Sequence, residues 1–160
     1  MLSRLRTFFD ESEDERRTGI PPTWYWHGNE PDLHAAYLFT AMGEPEESAR
    51  WTRWVARTFY SEGPRGLPGN DDGGTMSAWL VFTYLGFFPI AGEDYYLIGS
   101  PLVTGAELTI GDGTFTIEAP ESTETTLVVD SASIDDAALT EFRFTHAQIT
   151  AGATLRFEMR

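Results

Sequence analysis

The chain has no cysteine, no lysine and no long apolar run among its 160 residues. Without cysteine it can form neither disulfides nor thiolate metal sites, so any metal must be held by oxygen or imidazole. Without lysine all 11 basic residues are arginine, and against 25 acids they leave a formal net charge of -14. That balance argues against nucleic acid, because phosphate binding depends on Lys and Arg releasing condensed counterions. An anionic membrane is disfavoured for the same reason. No segment approaches the roughly 20 apolar residues that span a bilayer. Met1 to Arg17 is too charged to be a secretory signal, so the chain as written is expected to be soluble and to carry no export address. Acid excess with lysine avoidance fits either a GC-rich genome or a salt-adapted proteome.

What is present is enough apolar and aromatic content for one ordinary domain, or for two layers sharing a core. The patterning changes near residue 90. Before it, the spacing predicts helices over Ser3 to Asp10, over Leu33 to Met42 with Asp32 as cap and Gly43 as stop, and from Pro45 to about Phe59. In the last of these Trp51, Trp54, Val55, Thr58 and Phe59 form an apolar stripe, with acids in the first turn and Arg50, Arg53 and Arg57 further on. A further helix, capped by Thr75 or Ser77, is apolar on most sides up to Leu85 and is therefore expected to be buried. Glu11 to Thr18 is expected to be a charged loop, and Gly19-Ile20-Pro21-Pro22 cannot be helical. After residue 91 come short β-prone runs divided by Gly, Asp and Pro: 95–98, 106–110, 114–118, 125–130, 142–145 and 154–159. Gly111-Asp112-Gly113 reads as a hairpin turn, and this half as an antiparallel β unit. His146 is expected to be a turn or edge residue. The fold class is thus mixed, α then β, with a helical segment over 1–90 and a β segment over 91–160 packed with it.

Two polar patches interrupt the helical half. Trp24-Tyr25-Trp26-His27-Gly28-Asn29-Glu30-Pro31 gathers three large aromatics, a histidine, an amide and a carboxylate in one extended stretch. Gly69-Asn70-Asp71-Asp72-Gly73-Gly74 sets adjacent carboxylates between glycines that permit unusual backbone angles. Carboxylates aimed the same way persist only if they are solvated, share a proton or are bridged by a cation. The plain alternative is a solvated Asx-rich turn. An up-down-up helix order would bring Asn29, Glu30, Asn70, Asp71 and Asp72 to one end of the bundle. The chain has no internal repeat, P-loop, dinucleotide fingerprint, zinc-binding histidine pair or nucleophile elbow.

The patches Trp26 to Pro31 and Gly69 to Trp79, together with Leu85-Gly86-Phe87-Phe88-Pro89, Gly99-Ser100-Pro101-Leu102 and the ending Leu155 to Met159, resemble family 92 of the glycoside hydrolases. These are calcium-dependent, inverting exo-α-mannosidases. The resemblance implies that the helices are the last of an (α/α)6 toroid and that the substrate is a mannose-containing glycan. It implies a calcium ion held by Asn29, Glu30 and Asp72, and Asp71 or Asp72 as the general base that activates water. Trp26, His27 and His34 become candidates for sugar packing and hydroxyl hydrogen bonds. Leu33 stands where many relatives have a second histidine. The family's acid motif, Glu-Gly followed by Trp-Gln-Tyr, does not occur in the chain, so on its own the chain is expected to lack the general acid. The resemblance also implies that the chain needs an upstream domain or self-associates, and that it belongs to a class often secreted or periplasmic. The alternatives are a non-catalytic calcium- or sugar-binding remnant and an interaction module.

If the acidity reflects salt adaptation, added salt should screen the self-repulsion of the folded state. The melting temperature is then expected to rise between low and molar salt, and a flat or falling thermal melt would exclude it.

Overall fold

The computed structural model describes residues 1–15 and 24–160. Helix α1 spans Leu2–Glu15, so it runs on into the charged stretch expected to be a loop. The continuation has a physical cause at Ser12, which is buried. Its hydroxyl donates to Phe8 O at 2.7 Å and accepts the Tyr25 N–H at 2.7 Å, docking the last turn onto the next segment. Phe9, one turn earlier, stacks on Trp51 at 4.9 Å. The rest of the expected loop, from Arg16, and the Gly19 to Pro22 segment lie outside the described residues.

The single helix expected from Asp32 does not form. Its place is taken by two 3₁₀ turns, Glu30–Asp32 and Ala35–Tyr37, followed by the short α2, Leu38–Ala41. Competing donors explain the break. Trp79 Nε1 donates to Leu33 O at 2.8 Å and Ser48 Oγ to Ala36 O at 2.8 Å. Carbonyls that would close α-helical turns are claimed by side chains from later helices.

Helix α3, Pro45–Phe59, begins at its proline and carries Glu46 and Glu47 in its first turn and Arg57 in its last, as the macrodipole prefers. Trp51 and Val55 are buried as the stripe predicts, while Trp54, Thr58 and Phe59 are only half-buried. Helix α4, Thr75–Leu85, buries Met76, Trp79, Thr83 and Leu85. The expectation of burial on all sides is corrected: Val81 is 59% exposed and Tyr84 44% exposed. Its N-cap is Gly74 rather than Thr75 or Ser77.

The second half forms two sheets. Strands β1 (Phe87–Pro89), β2 (Tyr95–Ile98) and β7 (Arg143–Thr145) make an antiparallel sheet in the order β1-β2-β7. Strands β3 (Gly105–Ile110), β4 (Gly113–Glu118), β5 (Val129–Ile134), β6 (Ala137–Ala138) and β8 (Thr154–Met159) make a sheet in the order β3-β4-β8-β5-β6. β4 and β8 pair in parallel, so the expected antiparallel unit is a mixed one. Ile110 pairs with Gly113, confirming the hairpin turn at Gly111-Asp112. The strand expected over 125–130 is shifted to Val129–Ile134. His146 opens a short α5, His146–Thr150, where Gln148 Oε1 accepts the Thr145 N–H at 2.7 Å.

The apolar residues form two clusters. Phe9, Tyr25, Tyr37, Phe39, Trp51 and Trp79 lead the helical one. Phe87, Phe115, Phe144, Leu155 and Phe157 lead the one between the sheets. β2 joins them through strand alternation, sending Leu97 into the helical cluster and Ile98 into the other.

A buried cation makes the second tie. Arg53, 4% exposed, donates from Nε to Ser100 Oγ, from Nη1 to Thr123 O, and from Nη2 to Pro101 O and Ser122 Oγ, at 2.5 to 3.1 Å. Burial brings its pKa down to about 10, which leaves it charged at neutral pH. Arg53→Met is expected to cost about 2–5 kcal/mol, because it orphans buried acceptors. Arg53→Lys should recover less than half of that, since an ammonium cannot reproduce the planar fork. Urea unfolding followed by tryptophan fluorescence checks both.

Candidate functional site

The first loop reads in alternation. In the extended stretch before the first 3₁₀ turn, Tyr25 and His27 point inward and are fully buried, while Trp24 and Trp26 remain 44% and 40% exposed. Trp26 meets the Phe59 ring edge-on at 5.8 Å. Asp32, expected to be a helix cap, instead shapes the loop: its Oδ2 accepts from Trp26 N at 3.4 Å and from Asn29 Nδ2 at 3.2 Å. With its amide nitrogen directed at Asp32, Asn29 turns its carbonyl oxygen elsewhere. Asn29, Glu30 and His34 are exposed.

The second loop separates the two aspartates that the sequence left interchangeable. Asp71 Oδ1 accepts from both Ser77 N and Ser77 Oγ at 2.9 Å, and its main-chain oxygen accepts from Gly74 and Met76. It closes the entry to α4 as a capping carboxylate does. Asp72 is exposed, with φ at 49°, and among the described residues its carboxylate makes no hydrogen bond. Only its main-chain oxygen is engaged, by Thr75 Oγ1 at 2.8 Å. A left-handed aspartate with a free carboxylate is a conformation that the chain tolerates at a cost.

The loops meet at their backbones. A β-carbon on Gly28 would lie 2.5 Å from Pro68 O and 2.6 Å from Trp26 Nε1, so only glycine permits the approach. Glu30, Leu33 and His34 share a cavity of about 410 Å3 with Thr75 and the apolar Phe88, Pro89, Ile90 and Ala91. An adjoining cavity of about 320 Å3 carries Gly73, Gly74 and Thr75 on its wall. The two cavities share Thr75, Phe88 and Pro89, so Glu30 of the first patch and His34 just after it, and Gly73 and Gly74 of the second, line neighbouring walls.

His27 is placed otherwise than expected. No part of it reaches solvent, and both ring nitrogens are engaged: Nδ1 with Tyr25 Oη at 2.6 Å, Nε2 with Tyr60 Oη at 2.7 Å. Burial lowers its pKa to about 3, so the ring is neutral. Tyr25 and Tyr60 carry part of the site's architecture without having been singled out in the sequence. The available signal was the period-2 alternation of Trp24 to His27, which sets Tyr25 and His27 on one face.

As for a metal, no three His, Asp or Glu side chains converge as a cluster among the described residues. The amide oxygen of Asn29, without a hydrogen bond among the described residues, and the exposed carboxylates of Glu30 and Asp72 are hard oxygen donors of the type calcium takes.

Residues 1–160 match the family model described as the glycosyl hydrolase family 92 catalytic domain. The chain belongs to glycoside hydrolase family 92. It is similar to the family GH92 α-mannosidase BT3965 from Bacteroides thetaiotaomicron, solved in complex with mannoimidazole, at 34% identity and a TM-score of 0.81, over 87% of this chain and 19% of that one. The inverting mannosidase BT2199 from the same organism gives 32% identity and a TM-score of 0.77, over 84% and 19%. An uncharacterized secreted glycosidase of Arthroderma benhamiae is 28% identical over 82% of this chain and 18% of its own length. The chain thus spans about one fifth of these relatives, and in this family 92 chain the helices precede the sheets as expected.

The division of labour between the aspartates has a direct test. Asp71→Ala is expected to cost about 1 kcal/mol of stability, with Asp71→Ser restoring most of it. Asp72→Asn should change stability by less than about 0.5 kcal/mol. Denaturant unfolding of the three variants measures this, and the reverse order would remove the capping assignment.

Proposed function

We propose that these residues supply the water-activating half of an inverting α-mannosidase site, within the C-terminal part of a longer (α/α)6 catalytic domain. The observation that carries the reading is Asp72: exposed, left-handed, its carboxylate without a hydrogen bond among the described residues, and next in sequence to Gly73, which lines the cavity adjoining the one rimmed by Glu30 and His34. A carboxylate without protein partners can accept a proton from water as the water oxygen bonds to the anomeric carbon. The glycosidic C–O bond breaks on the opposite face, and the leaving oxygen takes its proton from an acid. In this reading the acid comes from outside these 160 residues.

The remaining groups divide by exposure. Trp26 presents a ring on which a sugar can pack, and His34 offers a hydrogen bond at the cavity rim. His27, being buried, positions rather than touches. Asn29, Glu30 and Asp72 would hold calcium, which when bound supplies a fixed positive charge for two hydroxyls of the terminal mannose and eases distortion of its ring.

The test is hydrolysis of an α-mannoside with calcium, with and without chelator, by this chain alone and by the chain joined to a family 92 segment that carries the Glu-Gly acid motif. No turnover is expected alone, and chelator-sensitive turnover when joined. Asp72→Asn in the joined protein should lower kcat by about 10²–10⁴-fold. Turnover by the isolated chain would overturn the claim of an external acid, and full activity of Asp72→Asn would overturn the base. Calcium-dependent mannose binding without turnover in the joined protein would favour a binding remnant.

A further inference from the structure

The contacts of Tyr60 assign a direction to every proton in a chain of rings that runs inward from half-buried Tyr60 to buried His27 and Tyr25. Its hydroxyl lies 2.9 Å from Met76 O and 2.7 Å from His27 Nε2. A carbonyl can only accept, so the single phenol proton of Tyr60 is donated to Met76 O. His27 Nε2 must then carry a hydrogen and donate it to Tyr60 Oη. Nδ1 is left as the acceptor, and the Tyr25 hydroxyl donates to it.

The two ends of this chain are next to the two functional loops. His27 is two residues from Asn29, whose N–H closes a turn on Trp26 O at 3.0 Å. Met76 is flanked by the Asp71 contacts: its own N–H donates to Asp71 O at 3.3 Å, and Ser77, next in sequence, binds the Asp71 carboxylate. Tyr60 itself follows the last residue of α3 and belongs to neither loop. Its ring is held by a parallel stack on Trp79, at 5.8 Å and 4°. Trp79 in turn meets His27 edge-on at 4.2 Å and donates to Leu33 O.

We propose that Tyr60 is a positioning residue that sets the spacing between the Asn29–Glu30 and Asp71–Asp72 loops, by holding His27 as its Nε2–H tautomer against the Met76 carbonyl. The hydroxyl touches neither substrate nor metal donors. It acts as a strut of fixed length between them, in the way that outer-shell partners orient metal ligands. The proposal rests on the reading that the two loops form one site.

The first measurement uses the unaltered chain. Nitrogen-15 spectra of the histidine rings are expected to show hydrogen on His27 Nε2. A ring with its hydrogen on Nδ1 and none on Nε2 would overturn the proposal without any variant. The second compares Tyr60→Phe with Tyr37→Phe, a control that also loses a buried hydroxyl contact, to Thr83 Oγ1 at 2.8 Å. Tyr60→Phe is expected to move the His27 hydrogen to Nδ1 and to shift the amide resonances of Asn29, Glu30, Asp71 and Asp72. It should also weaken calcium binding by about tenfold in a calorimetric titration. Tyr37→Phe should leave all of these as in the parent, and equal shifts in both variants would reduce Tyr60 to an ordinary packing residue. If the parent binds no calcium while the tautomer and loop shifts appear as expected, the metal reading fails and the positioning role stands.

Discussion

The fold depends on one buried cation. Arg53 takes a guanidinium out of water from the middle of α3 and spends its donors on two loops of the other half, at Ser100-Pro101 and Ser122-Thr123. Burying a charge is costly unless it is fully hydrogen-bonded, so the loops must come to the helix in one arrangement. The other tie, β2, is apolar and less directional, placing Leu97 and Ile98 in the two clusters. Together they make the sheets a backing for the helices.

At that end the chemistry is distributed by exposure. Ser12, His27 and Ser48, all buried, each have two side-chain hydrogen bonds, whereas the buried indole nitrogen of Trp51 in the helical cluster has none. The exposed groups are largely uncommitted. Asp72 and Glu30 make no side-chain hydrogen bond among the described residues, while Asp71 and Asp32, their neighbours in sequence, are used to hold the loops in shape. Each loop thus carries one acid that builds it and one whose carboxylate makes no hydrogen bond among the described residues. This pairing gives the family 92 assignment a physical counterpart in this chain, since a site needs both rigid support and unpaired groups.

Much of this was legible in the residue order, and the exceptions have specific causes. The change from helical to β patterning near residue 90, α3 from its proline onward and the Gly111-Asp112 turn follow from local spacing and turn chemistry. The helix expected after Asp32 failed because Trp79 and Ser48, 46 and 12 residues away in sequence from their acceptors, take its carbonyls. α1 outran its predicted end because Ser12 met Tyr25. The parallel pairing of β4 with β8 could not be read from either strand, because alternation is the same in both orientations.

The sequence by itself determined which residue types stand in each loop, that no thiol or lysine takes part, and that an aspartate pair sits between glycines. Those are properties of composition and neighbouring order. Only the tertiary structure decided which aspartate caps α4 and which has no side-chain hydrogen bond among the described residues, that His27 is buried and neutral, and that the Tyr60 hydroxyl lies between His27 and the Met76 carbonyl. These depend on distances between residues far apart in the chain: an acid is tied down or left free according to which donors the fold brings to it.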